Sequence, residues 1–227
     1  MHDLHYQAHE RKRFVCETNA PYLFVMYRSA FKQRYPEYID RMRWLPHFAE
    51  PALFRDYGQS KSIDVLMMGC TDRKYYPLRQ RMLQKLQGTE GFVYHSHPGY
   101  RTFEAASDAW IGAAYAREIN RAKLFLSCDS VFRYPLRKYV EVPASRTLLL
   151  APANEDLIEL GFIPGTHFIS ITADDYEEKI RFWLDPRNET AASRIACAGY
   201  EFVHENHTTS ARAVEFIRTV SAIVRGN

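Results

Sequence analysis

Paired cysteines are missing from this sequence. Cys16, Cys70, Cys128 and Cys197 are widely separated and form no C-x-x-C unit, so they read as reduced, intracellular residues. Long apolar runs are missing too: none approaches the roughly 18 residues of a membrane span, and the opening MHDLHYQAHERKR has no apolar signal core. A cytoplasmic location follows, with a peripheral membrane role left open. Charge of one sign is scarce. A net charge of +3 over 227 residues gives no reason to expect nucleic acid as the main partner, although a basic cleft can exist on a nearly neutral protein. Glycine-rich phosphate motifs of the P-loop and G-x-G-x-x-G kinds are absent, which argues against an ATPase or a nicotinamide dehydrogenase. No nucleophile-elbow pattern surrounds Ser130, which argues against hydrolase chemistry.

What is present suffices for a sizeable core: 46% of residues are hydrophobic and 14% aromatic. Residues 3–17 look helical and polar, and His5 and His9, four apart, could face one metal; with no third ligand evident, an exposed helix start is the better reading. YLFVMY (22–27) reads as a short strand, SAFKQRYPEY as helix, and 43–46 as another brief strand. Pro46, Pro51 and the polar GQSKS around Gly58 mark a boundary, dividing the chain into 1–58 and 59–227. Beyond it, IDVLMM (63–68) is a continuous apolar run fit for a central parallel strand, ended by Gly69. A helix follows, then a strand at 91–94, a helix over 107–120, a strand at 122–127 and a strand at 166–171. This alternation predicts an α/β fold, a doubly wound Rossmann-like parallel sheet. A helix over 176–184 with Asp174 as N-cap is expected near the end.

The stretch 127–152, SCDSVFRYPLRKYVEVPASRTLLLAP, organises this unit. It reads as the end of one buried strand, a loop opening a short helix, and a second buried strand over 147–151. Arg137 and Glu141 are four apart and Lys138 and Glu141 three apart, so all three share a helix face. A helix beginning just past a strand's carboxyl end is where open α/β sheets bind phosphorylated ligands. His95 and His97 form an H-x-H pair in a loop whose bend would have to bring both rings to one ion, and a shared metal is not the favoured reading.

The order SVFRYPLRKYVEVPASRTLLLAPANEDLIELGF resembles the carboxyl-terminal half of GT-B glycosyltransferases, specifically the spore-maturation-protein-like branch of "glycosyl transferases group 1". The resemblance continues through residues 165–220 and reaches back to RWLPHFAEPALF, which looks like the family's interdomain linker. It implies a nucleotide-sugar donor as partner, an unknown acceptor, and no cofactor or metal, since cations and a helix amino terminus neutralise the leaving group. It also implies that Glu141 binds the donor's ribose, that Arg137, Lys138 and Ser130 contact phosphate, and that Arg73 and Arg79 stabilise the leaving diphosphate as catalytic cations. Plain surface alternatives exist: Glu141 could be a solvated partner of Arg137 or Lys138, and Arg79 could merely cover its own helix.

Two departures from the family pattern stand out. The position eight before Glu141, where retaining enzymes often carry a second glutamate, is Arg133, and the glycine of the A-x-G-T turn is Arg146, whose side chain is expected to stand where backbone approaches the ligand. Only about 60 residues precede IDVLMM, so residues 1–58 resemble a remnant of the acceptor domain plus linker. The expected function is therefore the donor-binding half of a glycosyltransferase, weak in isolation. The alternative is a non-catalytic subunit that seeks a separate acceptor-domain protein or a second copy of itself through partly exposed Leu23, Phe24 and Val25. A third reading, arginines with Tyr75, Tyr76 and Tyr134 as a nucleic-acid platform, would need strongly salt-dependent oligonucleotide binding.

Overall fold

The computed structural model describes residues 8–99, 101–104 and 108–226. A helix, α1 (Ala8–Thr18), precedes a small unit of β1 (Leu23–Val25), α2 (Arg28–Arg34), a 3-10 turn and β2 (Met42–Trp44). The larger unit runs β3 (Ile63–Met68), α3 (Pro77–Leu86), β4 (Phe92–His95), α4 (Gly112–Asn120), β5 (Ala122–Leu126), α5 (Lys138–Ala144) and β6 (Leu148–Ala151). It closes with α6 (Glu155–Glu159), β7 (Ile169–Ser170), α7 (Tyr176–Leu184), α8 (Glu189–Asn206) and α9 (Thr209–Val224).

The five strands from β3 to β7 pair in parallel in the order β4-β3-β5-β6-β7. Alternation along each strand sends side chains to opposite faces. Leu66, Phe125 and Leu149 meet Ile119 of α4 and Val142 of α5, whereas Met67, Leu126 and Leu150 meet Met82 of α3 and Ile180 of α7. Burial on both faces explains why these strands are apolar apart from Asp64 and Lys123 near the starts of β3 and β5, which pair at 2.6 Å. The expected doubly wound α/β architecture is the one observed.

Strand order reverses at β3: the chain steps to β4 on one side and returns to β5 on the other. Loops leaving β3 and β5 therefore diverge and open a crevice beyond the carboxyl ends of the strands. The short parallel pair β1–β2 lies in a third core with Val25, Phe31, Tyr35 and Tyr134. Tyr134 comes from the loop after β5 and stacks on Tyr27 with ring centroids 3.8 Å apart, joining the amino-terminal unit to the sheet unit.

Several local expectations are corrected. Asp175, not Asp174, is the N-cap of α7; its Oδ1 accepts the Thr172 N–H at 2.7 Å. The strand expected over 166–171 pairs only through Ile169 and Ser170, because β6, its neighbour, ends at Ala151. The helix expected over 107–120 starts at Gly112, and Ser107 lies outside the described residues, as does His5. Of the residues a partner-seeking subunit would present, Leu23 and Phe24 are half-buried, with the Phe24 ring 4.9 Å from that of Phe216, whereas Val25 is buried. Among the described residues no helix is long and apolar enough to cross a membrane.

Candidate functional site

The crevice is built around Gly69, the residue that ends β3. Its φ of +129° is in the region that favours glycine, and a Cβ there would lie 2.9 Å from Arg79 Nη1. The missing side chain lets the guanidinium of Arg79, from the first turn of α3, lie against the end of the strand. Arg79 is only 2% exposed. Its Nη1 donates to the Cys70 carbonyl at 2.7 Å, and its guanidinium stands 4.7 Å from the Tyr76 ring centroid. Among the described residues, its Nε and Nη2 have no hydrogen-bond partner and no carboxylate pairs with it. A buried cation without a counterion is costly, and an anion brought alongside would offset that cost.

Two cavities meet here. The first, about 540 Å3, is lined by Arg79, Arg137 and Lys138 together with Tyr27, Tyr75 and Tyr134. The second, about 370 Å3, is bounded by Phe54, Trp110, Tyr115 and Glu141. Gly69, Ser96, His97, Gly99, Arg137 and Lys138 line both, so the two are parts of one cleft. Arg137 is the N-cap of α5 and Lys138 and Glu141 lie in its first turn, which brings all three to the cleft as their spacing implied.

Burial, and next the neighbouring charge of Arg79, lower the pKa of Lys138 to about 8. Partial burial, then Lys138 and Arg79, hold His97 below its ordinary pKa, so this imidazole is neutral at pH 7. Glu141 is 8% exposed, and its Oε2 accepts the Tyr115 hydroxyl at 2.9 Å. Burial, reinforced by the Glu141 charge, raises the Tyr115 pKa well above its usual value and keeps that hydroxyl a donor. The cleft is thus cationic at its centre and aromatic at its walls, with one buried carboxylate at one end. Such a site can hold a multiply charged anion with a hydroxylated, partly apolar body.

Of the residues singled out in the sequence, Arg79, Arg137, Lys138 and Glu141 converge. Glu141 is not the solvated partner of Arg137 or Lys138; Tyr115 holds it instead. Arg73 is exposed on the loop before α3 and lines neither cavity. Ser130 is buried, its Oγ accepts the Phe132 N–H at 3.1 Å, and it lines neither cavity. Arg133 turns away and pairs with Asp129 at 2.7 Å. Arg146 also departs from expectation. It keeps the left-handed backbone of the glycine it replaces, with φ of 53°, but its side chain pairs with Asp56 at 2.8 Å beside a separate cavity near the amino ends of β5 and β6. The turn precedes β6, so it lies at the end of the sheet away from the cleft.

His95 and His97 separate because β4 ends at His95 and His97 lies in the loop beyond it: His95 Nε2 stands 2.9 Å from Glu118 Oε1, while His97 faces the cleft. Among the described residues no three His, Cys, Asp or Glu side chains gather as a metal site would need. Tyr115 and Trp110 were not marked by any motif, and Phe54 was marked only as the end of the linker-like RWLPHFAEPALF. They reach the site from α4, from the loop before it and from the segment after β2, and only the fold brings them to Glu141.

This sheet, with its cleft at the strand switch point, has the fold of the Rossmann-like carboxyl-terminal domains of GT-B glycosyltransferases. Sucrose-phosphate synthase from Thermosynechococcus elongatus superposes with a TM-score of 0.66 at 14% identity, over 96% of this chain and 63% of that one. Anabaena HepE, solved in complex with UDP and glucose, gives 0.71 at 11% identity, over 98% of this chain and 70% of that one. The pneumococcal O-GlcNAc transferase GtfA, in complex with UDP and GlcNAc, gives 0.60 at 9% identity, over 96% and 48%. Residues 73–218 match the profile of the family described as glycosyl transferase-like, and the chain belongs to that family. No curated protein matches it in sequence.

Proposed function

We propose that this chain binds a nucleotide-sugar donor and supplies the donor half of a glycosyltransferase, of the spore-maturation-protein-like kind. The observation that carries the reading is the buried guanidinium of Arg79, free of any ion pair among the described residues, beside Lys138 and Arg137 in a cleft at the carboxyl ends of parallel strands. In this reading the diphosphate lies where the two cavities meet, against Arg79, Lys138 and Arg137. Charge developing on the departing diphosphate is met by cations already in place, which is where electrostatic catalysis is strongest. Glu141 accepts from the ribose hydroxyls. Arg73 and Ser130, which line neither cavity, receive no role. The UDP-bound neighbours support a nucleoside diphosphate as the ligand class. Residues 1–58 supply a small acceptor-side unit in this account, and transfer itself is proposed for the whole protein. The family match does not favour the non-catalytic subunit, and of the three residues that reading used, Val25 is buried while Leu23 and Phe24 are half-buried.

Calorimetric titration with UDP, ADP, GDP and their sugar conjugates tests the reading. It predicts saturable binding that prefers one base and weakens at least about tenfold in Glu141→Ala, the loss expected for hydrogen bonds to a charged group. Well-folded protein that binds none of these ligands would refute it.

A further inference from the structure

The Tyr115 hydroxyl donates to one oxygen of Glu141, and the other oxygen, Oε1, makes no hydrogen bond among the described residues while Glu141 lines the smaller cavity. A carboxylate that is held by one oxygen and open at the other is an oriented acceptor. The Tyr115 ring is itself held from two sides. It meets Phe54 edge-on with centroids 5.9 Å apart and an interplanar angle of 86°, and Lys138 Nζ stands 5.7 Å from its centroid. One tyrosine therefore touches both the carboxylate and the cation of the cleft.

Resting on the nucleotide-sugar reading above, we infer that Tyr115 is a positioning residue that turns Glu141 to present Oε1 to the vicinal hydroxyls of a ribose, and so sets selection for ribonucleotides over deoxyribonucleotides. Glu141 has three side-chain torsions beyond its backbone, and a carboxylate without the tyrosine bond can rotate so that neither oxygen meets both hydroxyls. A shared proton donor removes that freedom before the ligand arrives, which is how a pre-organised site gains affinity. The cost of losing such a contact falls on ligands that carry the hydroxyls, because a site built to hydrogen-bond a hydroxyl discriminates through the groups left unpaired when the hydroxyl is missing. Ligands without them lose little.

The test compares UDP and 2′-deoxy-UDP by calorimetric titration of the full chain, as wild type, Tyr115→Phe, Glu141→Gln and the double variant. Tyr115→Phe keeps the ring, so its contacts with Phe54 and Lys138 persist, and a ratio of two affinities is independent of any change in the folded fraction. The expected result is a loss of UDP affinity of about tenfold in Tyr115→Phe with 2′-deoxy-UDP little changed, and no further loss when Tyr115→Phe is added to Glu141→Gln. A packing role alone would weaken both ligands equally. An unchanged ratio in Tyr115→Phe, with UDP still bound by wild type, overturns the inference and leaves the donor reading standing. Wild type that binds neither UDP nor the other nucleoside diphosphates overturns both.

Discussion

Lys138 stands half-buried beside Arg79, and both burial and that neighbour favour its neutral form. Its pKa of about 8 lies below the model-compound value of 10.5. Between those limits the unfolded chain holds a proton that the folded chain has released, so this lysine's contribution to stability rises with pH from about 8 to about 10.5. Below pH 8 both states are charged and its full penalty is present. Anion binding runs the other way, since the charge that costs stability is the charge that attracts a diphosphate. UDP affinity is expected to fall up to about tenfold between about pH 7 and pH 9, and Lys138→Gln is expected to flatten that slope. Titrations at stepped pH on both proteins decide it; parallel slopes would remove Lys138 from the anion site.

Among the elements, α5 is short because its environment is crowded at both ends. It opens directly beyond the loop from β5, carries Pro143 within its last turn, and ends at Ala144, with the left-handed Arg146 just past its C-cap Ser145. Its far side is pressed by α8: a Cβ on Gly199 would lie 2.5 Å from the His167 carbonyl oxygen and 3.3 Å from Pro143 Cβ. Backbone cannot yield cheaply, so Gly199→Ala is expected to cost about 1–3 kcal/mol of stability, read as a lower urea midpoint at unchanged slope. An unchanged midpoint would mean that α8 can slide. The central strands were legible because burial on both faces leaves runs that are apolar but for at most one charged residue near the start, and β3 has the bounds that IDVLMM implied. The α7 helix has the bounds expected for it, 176–184. Cap and edge details were not: adjacent aspartates 174 and 175 are equivalent as caps until Thr172 selects one, and β7 is cut short by where its partner ends.

In the molecule as a whole, a net charge of +3 conceals a local concentration. Arg133, Arg146, Arg121 and Lys179 are tied to Asp129, Asp56, Glu118 and Asp175, whereas Arg79, Arg137 and Lys138 have no carboxylate ion pair among the described residues and share one cleft. Spacing within one helix revealed Arg137, Lys138 and Glu141 as a set. It could not show that Ser130 closes its own turn, that Arg146 belongs to the far end of the sheet, or that Tyr115 reaches Glu141 from another helix. Those facts depend on contacts between distant segments. So does the junction between the two units, where Tyr27 stacks on Tyr134 and Ser29 Oγ donates to Asp156 Oδ1 at 2.6 Å across 127 positions of sequence.

The central claim is that the cleft holds a diphosphate on a cation that the fold leaves uncompensated. The most direct measurement pairs UDP titration with unfolding of wild type, Arg79→Met and Arg146→Ala. Methionine fills similar volume without the charge, so Arg79→Met is expected to bind UDP about 10- to 100-fold more weakly while its stability stays within about 1 kcal/mol of wild type or rises. Arg146→Ala, at the other end of the strands, is expected to bind UDP as wild type does. If Arg79→Met binds UDP normally, or if Arg146→Ala loses binding instead, the anion site is not where this account puts it.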